Sequence, residues 1–269
     1  MKGISILMNC IEMEKKENQV ITVSDIQTIL TDYRIGKKPL AKLLGWGETT
    51  IIRYIEGDVP TSEYSDKLKA ILRDPAYYYD ILQANKDNLT GVAFKKSKKA
   101  VLEKMMSSKI NVVTQYIINM ANADIAAGTI QTMLYYVQAF SLALYNREMF
   151  EEDYRITPEN TPFIELYQSV KNRNLSVLEI AEGSLTNSER DLIEKVYNSF
   201  AWYGPRACKA ITAYEKTLLR ISRDKDNNKI VSKDTLRTYF KDIINQYDIE
   251  HSDDIHKYPD QRIMEIRGL

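Results

Sequence analysis

Apolar residues recur at i, i+3, i+4 and i+7 through the long windows of the chain, the spacing that lays one stripe along a helix, and this predicts a mainly α protein. The 10 glycines are scattered, so few of these windows are broken. Some helix starts are legible from capping chemistry. Asp74 ahead of Pro75 reads as an N-cap with proline in the first turn, and Thr186-Asn-Ser-Glu189 reads as a capping box. Ile110 to Ala127 reads as one helix and Thr129 to Asn146 as the next. In the latter, Ile130, Met133, Leu134, Val137, Ser141 and Leu144 form one stripe, and Tyr135, Ala139 and Leu142 form another. Two apolar stripes predict burial on more than one side. Turn composition marks Thr157-Pro158-Glu-Asn-Thr-Pro162 as a loop, and Asp224-Lys-Asp-Asn-Asn228 as a turn between short strands ending near Val231. The expected β content is at most a small hairpin.

Between Lys37 and Glu56 the sequence KKPLAKLLGWGETTIIRYIE has the spacing of two short helices joined at a glycine. Leu40, Ala41 and Leu44 share one face of the first, and the small Ala41 lets a second helix cross closely. Gly45 takes the turn position, where a positive φ is cheap only for glycine. In the second helix Ile51, Tyr54 and Ile55 point inward with Trp46, leaving Thr49, Ile52, Arg53 and Glu56 outward. A recognition helix lays such a face in the major groove. Arg53 can donate two hydrogen bonds to guanine, Thr49 can bond a base edge or phosphate, and Ile52 can touch a thymine methyl. Lys37 and Lys38, opening the preceding helix, are assigned to phosphates, with Lys42 a weaker candidate. Glu48 is read as a first-turn charge suited to the helix dipole, ahead of a cytosine contact. The spacing alone also fits a helical hairpin with a basic rim and no DNA function.

Length and charge add a division of labour. At 269 residues the chain is long enough for two domains. Lys+Arg and Asp+Glu are both 37, yet Arg34 to Lys109 holds 15 Lys+Arg against 9 Asp+Glu, and the remainder 22 against 28. A basic module joined to an acidic one suits an anionic surface for the first and a different task for the second, although chance also produces asymmetry of this size. The reading divides the chain into a leader over residues 1–18, a helix-turn-helix domain over 19–108, a second helical domain over 109–248 and a C-terminal tail over 249–269. The apolar stretch Ile4 to Ile11 is too short to span a bilayer and lacks a signal-peptide cleavage site, and no membrane partner is expected.

At Leu44-Gly45-Trp46-Gly47-Glu48-Thr49-Thr50-Ile51-Ile52-Arg53-Tyr54, with Gly57 and Pro60 following, the chain resembles the helix-turn-helix of antitoxins in bacterial type II toxin–antitoxin systems, the branch related to the MqsA antitoxin. The likeness continues through Leu68 to Leu72, Asp74-Pro75 and Ile81-Leu82; Ile55 stands where that family usually has Glu, and Lys37 where Gln is common. A second string, from Ile130 through Tyr135-Tyr136, Gln138 and Phe140 to Phe150, resembles the opening of the Panacea, or SocA-like, domain, and weaker likeness runs on to Phe240. Ala213 stands where that family's Thr-His segment has histidine. The resemblance implies an antitoxin that neutralises a cognate protein toxin by binding it and represses its own operon through operator double-stranded DNA. Its toxin-binding residues are not specified. Alternatives are a DNA-binding regulator whose second domain senses a ligand or phage component, and an adaptor delivering a toxin to a protease. A homodimer is left open.

No catalytic residue, cofactor or metal site is expected. The two histidines, His251 and His256, lie in the segment taken as a solvated tail, and neither a nucleotide-binding glycine loop nor a C-x-x-C pair is present. Cys10 and Cys208 are far apart in sequence, and Cys208 reads as an inert buried thiol. The Glu151-Glu152 pair reads as solvated surface. A reducing, cytoplasmic setting follows from this cysteine usage.

Overall fold

The computed structural model describes residues 20–158, 161–171 and 175–268. The leader expected over residues 1–18 lies outside the described residues. The fold is mainly α, with one small sheet. The chain divides into two compact units, Met1–Met105 and Met106–Leu269. No helix among the described residues is long and apolar enough to cross a membrane.

The first unit contains α1 (Val23–Asp32), α2 (Lys37–Leu43), α3 (Thr50–Ile55), α4 (Ser62–Arg73), α5 (Pro75–Ala84) and α6 (Gly91–Met105). Side-chain caps set several starts: Thr22 forms a capping box with Asp25, Thr61 accepts from the Tyr64 N–H, and Asp74 accepts from the Ala76 N–H with Pro75 in the first turn. Ile26, Ile29, Leu40, Leu68, Ile71 and Leu82 fill its core. Two tyrosines cross that core as a stacked pair, Tyr33 and Tyr78, with centroids 3.9 Å apart. Each keeps its hydroxyl bonded, Tyr33 donating to the Ile71 carbonyl at 2.8 Å and Tyr78 sharing a proton with Ser97 Oγ at 2.6 Å. Burial pushes the Tyr78 phenol up to about 12, so it remains protonated.

The second unit is organised around α8 (Ala127–Tyr145), in which every residue from Ile130 to Ala143 is buried, as two apolar stripes require. Around it pack α7 (Lys109–Met120), α9 (Ile164–Lys171), α10 (Asn187–Ala201), α11 (Pro205–Leu218) and α12 (Lys233–Gln246). Thr186 and Glu189 form the capping box of α10, and Glu189 is paired with Lys109 at 2.7 Å. The helix expected over Ile110 to Ala127 is shorter than its apolar pattern. It stops at Met120 because Asn122 and Ala123 turn left-handed, at φ 49° and 64°, and the chain restarts at Ala127.

The expected hairpin is present as β2 (Ser222–Arg223) and β3 (Lys229–Val231), which pair antiparallel. Asp224 builds the turn between them: its carboxylate accepts from the Asp226 and Asn228 N–H groups at 2.9 and 2.8 Å. A third strand, β1 (Tyr154–Arg155), adds antiparallel to β3 with Tyr154 opposite Val231, giving the order β1-β3-β2.

The segment 249–269 is not a solvated tail. It forms a short 3₁₀ turn, Ser252–His256, and then α13 (Lys257–Arg267), which packs on α11. Ile255 and Tyr258 are fully buried and Arg262 nearly so. Ile255 and Tyr258, spaced i, i+3, both close the core of the second unit, but two apolar positions among polar neighbours are too few to establish a helical stripe in sequence.

Candidate functional site

The two helices of the predicted DNA-binding motif meet at a C-cap built on Gly45. Gly45, at φ +72°, donates to the Lys42 carbonyl at 3.1 Å, and Trp46 donates to the Ala41 carbonyl at 2.8 Å. This bond pair satisfies the last carbonyls of α2 and needs a left-handed residue at its centre. Leu40 and Ala41 are fully buried and Leu43 nearly so, while Trp46 stacks on Tyr64 of α4 at 4.1 Å. From α3, Ile51 and Tyr54 turn inward, with Ile55 half-buried.

The sequence-predicted contact residues are carried by α2, α3 and the turn before α3. Lys37 and Lys38 are exposed in the first turn of α2. Thr49 is exposed and stands at the N-cap of α3, one residue before the helix, and its hydroxyl makes no capping bond. Ile52 is half-buried and so presents only part of its side chain. Arg53 is exposed over 65% of its side chain. Glu48 precedes the helix instead of standing in its first turn, and pairs with Lys42 at 2.8 Å, which holds its carboxyl below the usual range. Lys42 is thereby committed to an ion pair.

Asp58 is the partner that sequence reading missed. After α3, Gly57 at φ +116° lets the Asp58 N–H return to the Arg53 carbonyl at 3.0 Å. That turn brings the Asp58 carboxylate to Arg53 Nε at 2.7 Å. The two terminal guanidinium nitrogens have no partner among the described residues, so that end of the fork stays open to a planar pair of acceptors while Asp58 holds Nε. Gly57 after a helical stripe was the available signal, since a glycine C-cap fixes where the next residue points.

In the second unit the densest chemistry is enclosed. Glu215 of α11 is fully buried and accepts hydrogen bonds from Tyr135 at 2.6 Å, from Tyr136 at 2.9 Å and from Tyr258 of α13. Burial pushes its carboxyl above the ordinary range, while the three hydroxyls and the nearby Arg262 charge pull the other way. Arg262 lies among the rings of Tyr214, Tyr247 and Tyr258, 5.3–5.6 Å from their centroids, and pairs with Glu265 at 2.5 Å. The amide of Gln138 is likewise spent on the backbone of Met149 and Phe150. Cys208 is buried, with its thiol pushed up to about 11 by desolvation, a state unsuited to a nucleophile. Sequence pattern could not find the Glu215 cluster, because its members are distributed over three helices. These groups rigidify the core and leave no polar atom of Glu215 open to a substrate.

Toward solvent, the same unit has an open cleft of about 730 Å³ lined by Asn111, Arg155, Phe163, Glu165, Asp224 and Asp226. Arg155 pairs there with Glu165 at 3.0 Å. Among the described residues no group of three or more His, Cys, Asp and Glu could hold a metal ion. His256 bonds the Asp253 carbonyl through Nδ1 at 2.7 Å, and His251 caps the 3₁₀ turn. No family model, curated protein or solved structure matches the chain.

Proposed function

We propose that the chain is a DNA-binding antitoxin, in which the first unit binds operator DNA and the second captures a cognate protein toxin without performing chemistry on it. The observation that carries the DNA-binding half is the exposed Arg53, with both terminal nitrogens unengaged among the described residues and its Nε tied to Asp58. Lys37 and Lys38, exposed at the start of α2, supply phosphate contacts. The capture half rests on the resemblance to the Panacea domain. Gel shifts across salt concentrations test the first half. Arg53→Ala should cost about 1–3 kcal/mol of discrimination between operator and random DNA. Lys37→Ala should weaken both DNAs alike and lower the salt slope by about 1. Equal losses on both DNAs for Arg53→Ala would remove its reading role. If two copies bind, their half-sites should be about 34–36 Å apart or a multiple of that. Growth rescue on co-expression with the product of the adjacent gene tests the capture half, and failure to rescue against a demonstrably toxic neighbour overturns it.

The open cleft favours a second reading, a DNA-binding regulator whose second unit senses a small ligand, since about 730 Å³ falls in the usual range of ligand sites. A ligand that changes operator affinity in the absence of any toxin would select it.

A further inference from the structure

Helix α11 is polar in the wrong direction for an ordinary surface helix. Its one carboxylate, Glu215, faces the core with Cys208, Ile211 and Thr212. Its outer face carries Ala210, Ala213, Tyr214 and Leu218, all exposed, and Ile221 just beyond the helix end continues it. Tyr214 is 40% exposed, Leu218 52% and Ile221 48%. Positions 206, 209, 210, 213, 214, 217 and 218 recur at the spacing of one helical face, so these side chains form a single stripe. Trp202, 88% exposed, stands two residues before the helix N-cap Gly204.

The charges on this stripe have one sign. Arg206 and Lys209 lie on it and Arg220 follows it; all three are exposed, and none forms an ion pair among the described residues. Lys216, on the adjoining flank, is held below its ordinary range first by burial and then by the Lys209 charge. An exposed apolar stripe edged by like charges marks an interaction surface whose partner has the opposite sign. Ala210 and Ala213 leave a shallow floor on which a helix backbone can approach, with Tyr214 and Leu218 beside it. Aliphatic side chains at the centre of the stripe match neither a phosphate backbone nor a base.

We propose that the outer face of α11 docks an acidic amphipathic helix of a partner protein, apolar side chains on the alanine floor and carboxylates against Arg206, Lys209 and Arg220. This rests on the reading of the second unit as a protein-capturing module and gives that capture a place and a chemistry. The test uses the full chain and a labelled helical peptide with leucines on one face and glutamates on the other, followed by fluorescence anisotropy, with a lysine-for-glutamate peptide as control. The acidic peptide should bind and the basic one should not. Leu218→Asp and Lys209→Glu should each weaken binding by about tenfold or more, with Lys209→Glu also reducing its salt dependence. Both positions are exposed, so melting curves of the variants should match the parent. No binding of the acidic peptide, or binding that both substitutions leave intact, overturns the proposal. So does a preference for phosphatidylserine vesicles over the peptide, or self-association in sedimentation that Leu218→Asp abolishes. Toxin rescue that fails while the peptide binds through α11 sinks the antitoxin reading alone; rescue that succeeds while the peptide does not bind sinks this docking surface alone.

Discussion

A single buried carboxylate gives the second unit a pH signature. Glu215 is surrounded by three tyrosine hydroxyls that remain protonated, because burial raises their own titration far above the ordinary phenol range. Its carboxyl is raised in the folded state, chiefly by burial, so the folded chain holds that proton more tightly than the unfolded chain. Stability from this group is therefore full below the ordinary carboxylate range and is lost as pH rises through the raised value. Urea melts of the parent and Glu215→Gln across pH should show the parent losing ground to the variant over that window, with a slope of at most about 1.4 kcal/mol per pH unit. A pH-independent difference would mean that the carboxyl is not raised. Arg53 and Asp58 make the contrasting case: an exposed pair at 2.7 Å adds little stability, and its worth lies in orientation.

Among the elements, those that begin with a polar cap or end on glycine are the ones that sequence places well. Asp74-Pro75, Thr186 with Glu189, and Gly45 each fix a backbone position through a local bond that needs no tertiary partner. The end of α7 is different. The chain turns at Asn122 and Ala123 with both residues left-handed, and alanine gives no sign of such a conformation in sequence. Left-handed alanine costs roughly 1–2 kcal/mol, part of which glycine returns as unfolded-state entropy. Ala123→Gly should therefore raise stability by about 0.5–1 kcal/mol, measured by chemical denaturation. A loss of stability would show that the alanine methyl makes packing contacts worth more than the backbone strain. The third strand, β1, has no sequence signal for a related reason: two residues cannot establish an alternation, and the partner of Tyr154, Val231, lies far along the chain.

At the scale of the whole molecule the C-terminal segment decides whether the second unit has a closed core. Tyr258 supplies one of the hydroxyls on Glu215, and Ile249, Ile255 and Tyr258 are all buried. Burial of each such side chain is worth about 1.5–3 kcal/mol, so ending the chain after Asp248 should remove more than about 5 kcal/mol, comparable to the stability of a domain. The measurement is a urea transition of the truncated chain, with the first unit's transition near its parent midpoint and the second unit's lost or strongly shifted. An unchanged second transition would return the segment to the status of a tail.

What the sequence determined by itself is what short-range chemistry controls: helix content, several caps, the glycine turn after α2, the hairpin turn at Asp224, and the inward and outward faces of α2 and α3. Those features depend on residues within a few positions of each other, where side-chain spacing and backbone sterics act directly. Only tertiary structure decided that Glu215 is enclosed by tyrosines from two other helices, and that α11 turns its acid inward and its tyrosine and leucine outward. A periodic pattern states that a helix has two faces, but which of them is buried depends on what the rest of the chain packs against it, and that contact has no local signature.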